Sequence, residues 1–252
     1  MAKIIIANWK MHPTSESGAL KLAKISDKKN VVVCPPFVFL NRVSRILKKA
    51  KLGSQDVSRE EVIAGPFTGE VSAVMLKRLG VSYVIIGHSE RRALGDTDEI
   101  VSQKIKDALR AGLKVILCVG EPAIVRKKGV PVAKKFVASQ IKNNLKNISN
   151  IRTFRSSNIL IAYEPIWAIS TSRDRSLKET PSFILEMVNF IREFLKPITY
   201  NLKPKILYGG SVTSLNVGRI IQHNEIDGVL VGGASLNLQE FQKIIKISNQ
   251  FP

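Results

Sequence analysis

Residues 159–169 read ILIAYEPIWAI, an apolar strand-like run that ends at Glu164 and is followed at once by proline. This pattern places Glu164 at the C-terminal end of a predicted β-strand. In a barrel of alternating strands and helices, the catalytic side chains project from that end of the strands. Glu164 is therefore the first candidate for a general base.

The same alternation of β-branched runs and amphipathic segments extends from this strand towards both ends of the chain. Repeated βα units predict a parallel sheet covered by helices, and eight units predict an α/β fold, a single-domain (β/α)8 barrel over residues 1–252. The predicted strands are residues 4–7, 31–34, 52–55, 83–87, 115–119, 159–163, 206–208 and 229–231. Helical periodicity is clear at residues 40–49, 72–79, 99–111, 132–145, 183–196, 215–222 and 238–247.

An open doubly wound sheet would give a similar alternation along the sequence. The closed barrel is favoured because no GxGxxG motif follows an early strand and because the number of strands is eight. The length of 252 residues also agrees with the roughly 250 residues of such a barrel. No low-complexity linker or change in composition marks a second domain.

The formal net charge of +19 raises the alternative of a nucleic-acid partner. The lysines are dispersed over several predicted helices and loops, and the sequence contains no RNA-recognition motif or zinc-finger spacing. Net charge by itself governs solubility and nonspecific association. We therefore expect no specific nucleic-acid binding.

Cys34 and Cys118, the only cysteines, each follow a β-branched apolar run. They are expected to be buried free thiols, which are typical of a reducing compartment. No apolar run approaches the roughly 20 residues of a membrane span, and the apolar start of the chain is too short for a signal sequence. These features predict a soluble cytoplasmic protein that does not contact a membrane.

In a closed barrel, the segments that follow the strands meet at one mouth. Here they carry a carboxylate, an imidazole, an ammonium group and glycine pairs whose backbone N–H groups can bind an anion. This set suits the movement of a proton next to a carbonyl group in a phosphorylated substrate, without a metal or an organic cofactor. The candidates are Asn8 and Lys10 after the first strand, His88 after the fourth, Glu164 after the sixth, Ser211 after the seventh, and Gly232 and Gly233 after the eighth.

Local geometry is also predicted for several of these residues. Lys10 lies two residues after Asn8, so both side chains would point the same way in an extended segment. His88 opens a polar turn, and an imidazole at a helix N-terminus is expected to have a lowered pKa and to stay neutral. The second glycine pair leads into a helical stretch at residues 236–247, whose first N–H groups predict a phosphate site.

Three motifs, IANWKM at residues 6–11, IIGHSERR at residues 85–92 and AYEPIWAI at residues 162–169, together resemble the triosephosphate isomerase family. The resemblance implies a glycolytic and gluconeogenic enzyme that interconverts dihydroxyacetone phosphate and glyceraldehyde 3-phosphate. It implies that Glu164 is the base and that neutral His88 is the acid towards an enediolate oxygen, an arrangement for which this family is itself the standard example.

The resemblance implies further roles by position. Lys10 and Asn8 would line the active site, and Glu90 matches a glutamate that hydrogen-bonds near the lysine. Cys118 matches a cysteine behind the catalytic glutamate, where it supports packing. The residues expected at the substrate phosphate are Ser170, Ser211, Gly232 and Gly233.

Residues 55–70, QDVSREEVIAGPFTGE, are long for a loop between a strand and a helix. Long loops in compact domains are usually functional. In the resembled family this loop reaches into a second subunit, and Thr68 stands where a threonine contacts the partner's active site. The resemblance therefore implies a homodimer.

The chain departs from the family pattern after Trp167. The family reads AIGTG and then a short hinge, whereas this chain reads AISTS at residues 168–172 and continues with the charged run at residues 173–175. The loop of the family closes over the substrate and excludes water. We therefore expect Ser170 and Ser172, which replace two glycines of the family, to affect the closure of this loop. A second hypothesis is therefore a barrel that has lost efficient catalysis and serves as a basic binding protein.

Overall fold

The structure is a computed structural model, and it describes residues 2–60, 63–146, 148, 156–169, 177, 179–197 and 204–251. Parallel strands pair in sequence order and the last pairs with the first, which closes the barrel. The predicted α/β class and the (β/α)8 barrel are confirmed. The strands are β1 Ile4–Asn8, β2 Val31–Cys34, β3 Lys51–Ser54, β4 Tyr83–Ile86, β5 Lys114–Val119, β6 Ile159–Tyr163, β7 Lys205–Tyr208 and β8 Gly228–Val231.

Helices surround this barrel, and their predicted positions differ mainly at the ends. The α-helices of the described residues are α1 Glu16–Ser26, α2 Leu40–Ser44, α3 Ala73–Arg78, α4 Ser89–Ala93, α5 Asp98–Arg110, α6 Ala123–Arg126, α7 Val130–Asn144, α8 Pro181–Leu195, α9 Val217–Ile221 and α10 Leu238–Ser248. Short 3-10 helices cover Phe37–Phe39, Ser156–Asn158, Ile166–Ala168 and Gly233–Leu236.

Three of these helices, α1, α4 and α6, match none of the ranges predicted from helical periodicity. Among the helices that were predicted, the largest difference is at residues 40–49, since α2 ends at Ser44. The Asp27 side chain explains the shortening. Its Oδ1 accepts hydrogen bonds from the backbone N–H groups of Lys48, Lys49 and Ala50, at 2.9, 2.6 and 2.8 Å. These bonds give the backbone an alternative to helical hydrogen bonding.

Alternation along β6 shows how the barrel directs its side chains. Leu160 and Ala162 belong to the cluster inside the barrel, whereas Ile159, Ile161 and Tyr163 pack in the cluster between the barrel and the helices. All five are buried, as expected for a parallel strand with both faces covered. Because successive side chains alternate in direction, the residue after Tyr163 is directed towards the barrel mouth.

Both cysteines are buried free thiols, as predicted. Burial raises the pKa of the Cys34 thiol and of the Cys118 thiol well above the ordinary value. Both thiols are therefore protonated at neutral pH and serve as packing groups. Among the described residues, the structure contains no helix that is long and apolar enough to span a bilayer.

Candidate active site

The C-terminal mouth of the barrel holds a cavity of about 190 Å³. Its lining residues follow several different strands, so groups that are distant in the sequence meet there. The predicted site residues that line this cavity are Asn8, Lys10, His88, Glu164, Ser211, Gly232 and Gly233.

The remaining predicted site residues have different positions. Glu90 contacts the Lys10 side chain, and Cys118 is buried in the interior of the barrel, with the charge of Glu164 acting on it. Thr68 is exposed and lines a different cavity of this chain. Ser170, together with Ser172, lies outside the residues that the structure describes.

Glu164 follows β6 directly, and the residue is only 4% exposed. Its Oε1 lies 2.9 Å from Nε2 of His88, and its Oε2 accepts the backbone N–H of Ser89 at 3.2 Å. The backbone below it packs against Gly120, where any side chain would collide with the Glu164 carbonyl oxygen. A buried carboxylate with this little water around it is well suited to accept a proton from carbon.

His88 precedes α4, and the helix start fixes its tautomer. Its Nδ1 accepts the backbone N–H of Glu90 at 3.2 Å, which requires that Nδ1 carry no proton. In the neutral imidazole, the proton therefore lies on Nε2 and points towards Glu164. His88 is thus placed to donate a proton from Nε2 into the cavity.

The predicted lowering of the His88 pKa is wrong for this arrangement. Burial of the imidazole lowers its pKa, but the Glu164 carboxylate raises it by charge and by hydrogen bonding, and the pKa lies above its ordinary value. The helix dipole alone would lower this pKa, but the carboxylate that follows another strand faces Nε2 and outweighs the dipole. The raised pKa depends on Glu164 occupying this position.

Lys10 reaches the cavity by a turn and not by the extended segment that the sequence suggested. Its φ is 52°, and its backbone N–H donates to Oδ1 of Asn8 at 3.0 Å. Gln55 supports the turn by donating from Nε2 to the Lys10 carbonyl at 2.7 Å and to the Cys34 carbonyl at 2.9 Å. The Lys10 ammonium lies 2.6 Å from Oε1 of Glu90. This ion pair holds the ammonium group in position at the cavity.

The glycine pairs after β7 and β8 form another wall of the cavity, with Gly209 beside Glu164 and Gly232 beside Lys10. The helix predicted at residues 236–247 begins at Leu238, and Gly233 begins the short 3-10 helix Gly233–Leu236 that precedes it. The first N–H groups of such a turn have no acceptor within the helix, so they remain suited to an anion. The N–H of Ser211 donates to the Ala168 carbonyl at 3.1 Å in this structure.

Glu121 is a supporting residue that the sequence analysis missed. It is fully buried, and its Oε1 accepts Nε1–H of Trp167 at 2.8 Å and the hydroxyl of Tyr163 at 3.2 Å. Burial raises the pKa of this carboxyl group. Glu121 lies two residues after the end of β5, among the strand-end segments that meet at the barrel mouth, and this position was the available signal.

Arg92 is a second residue whose role was missed. Its Nε donates to the Gly87 carbonyl at 2.8 Å, while its Nη1 and Nη2 contact Asp98 at 2.8 Å and Asn144 at 2.7 Å. Gly87 has a φ of 74°, which a residue with a side chain adopts only with strain. Arg92 therefore holds the backbone turn that presents His88 to the cavity.

Comparison with known proteins gives one consistent family. Residues 3–248 match the family model described as "Triosephosphate isomerase". The chain is 43% identical to the "Triosephosphate isomerase" of Thermoanaerobacter pseudethanolicus over 251 residues, which cover 96% of this chain and 98% of that protein. It is 41% identical to the protein of the same name from Carboxydothermus hydrogenoformans, over 96% of this chain and 97% of the relative. The corresponding protein of Trichodesmium erythraeum is 42% identical, with 97% and 99% covered.

Proposed function

The chain belongs to the triosephosphate isomerase family, and we propose that Glu164, His88 and Lys10 carry out its interconversion of dihydroxyacetone phosphate and glyceraldehyde 3-phosphate. The observation that carries this assignment is the 2.9 Å contact between Nε2 of His88 and Oε1 of Glu164 in a buried cavity. A substrate that enters between these two atoms meets a base on one side and an N–H donor on the other.

The proton movements follow from these positions. Glu164 takes a proton from C1 of dihydroxyacetone phosphate, and the electron pair moves through C2 to the carbonyl oxygen. That oxygen receives the Nε2 proton of His88, and the imidazole regains a proton from the C1 hydroxyl. Glu164 then returns its proton to C2, which leaves the aldehyde at C1 and restores both side chains.

His88 has to be neutral for this exchange, and the site provides for it. When the substrate separates the two side chains, a neutral carbonyl replaces the carboxylate that raises the His88 pKa. Burial and the charge of Lys10 then act to lower that pKa. The Glu90 N–H continues to hold Nδ1 as an acceptor, so Nε2 remains the donor.

The phosphate group belongs at the glycine wall in this proposal. Gly232 and Gly233 line the cavity, and the Lys10 side chain lies beside Gly232, so their backbone N–H groups and the ammonium would together bind the phosphate. Ser211 contributes its N–H once the Ala168 carbonyl releases it. By resemblance, Ser170 supplies a further N–H to the phosphate.

A coupled isomerisation assay on the purified protein tests the proposal. We expect turnover of both triose phosphates without added metal or cofactor. A protein that binds triose phosphate without converting it would contradict the proposal and would favour the basic binding protein. Titration calorimetry with a non-reacting phosphate analogue separates binding from conversion.

A homodimer is the second part of the proposal. Thr68 lines a cavity together with Phe37 and Leu94, and the Leu94 side chain is 76% exposed. Met11, directly after the active-site lysine, is 88% exposed. Apolar side chains that are this exposed suit a surface covered by a second copy.

Activity should therefore follow the dimer population. Sedimentation velocity and specific activity, measured over one dilution series, test this directly. A fully active monomer would rule out a contribution of Thr68 to the partner's site. We also propose a cytoplasmic location, which the two buried free thiols support because thiols stay reduced in that compartment.

A further inference from the structure

The opposite end of the barrel holds a second and larger cavity, of about 710 Å³. We call it the basal cavity. It lies where the strands begin, and its lining includes Tyr83, Lys114 and Lys205, the first residues of β4, β5 and β7. Its size is within the range of sites that hold small organic ligands.

Both lysines are directed along the inside of the barrel. Lys114 has the same parity in β5 as Ile116 and Cys118, which belong to the interior cluster. Lys205 has the same parity in β7 as Leu207, another member of that cluster. Since side chains alternate along a strand, the two ammonium groups face the basal cavity and not the helices.

Among the described residues, no carboxylate forms an ion pair with the ammonium group of Lys114 or of Lys205. The contact recorded for Lys114 is with the Tyr83 ring, whose centroid lies 5.5 Å from Nζ. Two acids, Glu225 and Asp227, line the cavity beside Arg192. Asp227 is already occupied, since its Oδ2 contacts Arg192 at 2.9 Å and accepts the N–H of Ile206 at 2.8 Å.

The undescribed segments that come just before Ser157 and Lys205 in the sequence contain no aspartate or glutamate. Residues 149–155 read SNIRTFR and residues 198–203 read ITYNLK.

One wall of the basal cavity is held in place before any ligand arrives. The buried ammonium of Lys3 donates to the carbonyls of His223 at 3.1 Å and Ile226 at 2.8 Å. Arg192 donates to the Glu225 carbonyl at 2.6 Å in addition to its contact with Asp227. A wall that is fixed in advance loses little entropy when a ligand binds.

We propose that the basal cavity binds a small phosphorylated anion with two or more linked phosphate groups. Lysine ammonium groups bind phosphate oxygens by charge-assisted hydrogen bonds. Lys114 and Lys205 start strands that flank β6, so their backbones are separated by about 10 Å, twice the usual strand spacing. A chain of linked phosphates spans two such donors better than a single phosphate does.

Site-resolved lysine labelling tests the proposal on the intact protein. The protein is treated with an amine-reactive reagent with and without inorganic tripolyphosphate, and modification of each lysine is measured by peptide mass spectrometry. We expect Lys114 and Lys205 to be protected at concentrations that leave Lys243 and Lys246, exposed residues of α10, unprotected. Equal protection of all four would show that the anion merely follows the net charge of +19, and would overturn the proposal.

Calorimetric titration of a double variant provides the quantitative test. Lys114→Gln with Lys205→Gln should weaken tripolyphosphate binding at this site by about tenfold or more, because two charge-assisted contacts are lost. Lys243→Gln with Lys246→Gln removes the same charge elsewhere and should change the affinity little. Equal effects of the two pairs would contradict the proposal, and thermal unfolding of both confirms that they fold.

Two further ligands, tested in the same labelling experiment, identify which form of phosphate the basal cavity binds. Inorganic phosphate should protect the two lysines more weakly than tripolyphosphate, since it cannot span both ammonium groups. Equal protection by inorganic phosphate at equal concentration would refute the requirement for linked phosphates. The same labelling with ATP tests whether the cavity accepts a nucleotide. Isomerisation by the Lys114 and Lys205 double variant should stay within about twofold of the parent, because both residues lie at the other end of the barrel from the active site.

Discussion

Nε2 of His88 lies 2.9 Å from Oε1 of Glu164, although the two residues follow different strands of the barrel. The contact joins the proposed acid and the proposed base directly in the structure. It also accounts for the raised pKa of His88, because the Glu164 carboxylate favours the charged imidazole. The same contact therefore sets both the chemistry of the site and its response to pH.

Replacing the base should separate catalysis from binding. Glu164→Gln removes the proton acceptor but little volume, so we expect turnover to fall by about 10²- to 10⁴-fold while the fold and much of the phosphate affinity remain. Steady-state kinetics and titration with a phosphate analogue measure the two effects. Near-parental turnover in this variant would show that another group is the base.

The same substitution should change the titration of His88. Without the carboxylate, burial and the Lys10 charge remain as influences that lower the pKa, so the His88 pKa should fall. NMR titration of the imidazole signals measures it, with His12 and His223 as internal references that do not line the cavity. An unchanged His88 pKa would mean that Glu164 does not face Nε2 in solution.

The raised pKa also predicts how stability depends on pH. In the parent, the interaction between His88 and Glu164 adds fully to the free energy of unfolding below pH 6.5, the ordinary pKa of histidine. That contribution is lost as the pH rises through the raised pKa of His88 in the folded state. Glu164→Gln should flatten this part of the profile. Denaturant unfolding at several pH values on either side of 6.5 tests the direction.

The strand order and the position of Glu164 and His88 at the barrel mouth were predictable from the sequence, because strand-end residues of a parallel barrel must converge. Glu164 and His88 could be assigned to the mouth by this rule alone. The turn at Lys10 was not predictable, since its φ of 52° depends on the Gln55 side chain from another loop. The raised His88 pKa was likewise hidden, because it arises from a contact between two strands.

Asp27 should contribute measurably to stability, because one carboxylate satisfies three backbone N–H groups. Asp27→Ala is expected to lower the free energy of unfolding by about 1–2 kcal/mol near neutral pH. Urea unfolding measures the change. The matched control is Glu16→Ala on the same helix, which removes an exposed ion pair with Arg42 and should cost no more than about 1 kcal/mol.

The Asp27 contribution should also depend on pH in a defined direction. Burial alone would raise the Asp27 pKa, but the hydrogen bonds from Ala50, Lys49 and Lys48 lower it below 3.8. Stability from a lowered carboxyl pKa is present above the unfolded value and is lost as the pH falls through the folded value. The stability difference between parent and Asp27→Ala should therefore shrink below pH 3.8, and a constant difference would contradict this origin.

The net charge of +19 should not produce a specific nucleic-acid site. Any retention of DNA or RNA should be weak and should be lost as salt increases, which is the behaviour of counterion release without base contacts. Filter binding with two unrelated sequences over a range of salt concentrations measures both properties. Sequence-selective binding that persists at physiological ionic strength would support the basic binding protein instead.

The loop after Trp167 carries serine at positions 170 and 172, where the family has glycine. Both serines lie outside the described residues, so the expected effect of these substitutions is argued from the sequence. Glycine reaches backbone conformations that serine adopts only at a cost. If loop closure needs such conformations, the double change Ser170→Gly with Ser172→Gly should tighten binding of a phosphate inhibitor and raise turnover. One strained residue costs about 1–3 kcal/mol, so a change of about tenfold is expected. Thr171→Gly, which adds flexibility at a position where the family has threonine, is the control and should give no such gain. If neither affinity nor turnover changes in the double variant, closure proceeds normally with serine at both positions.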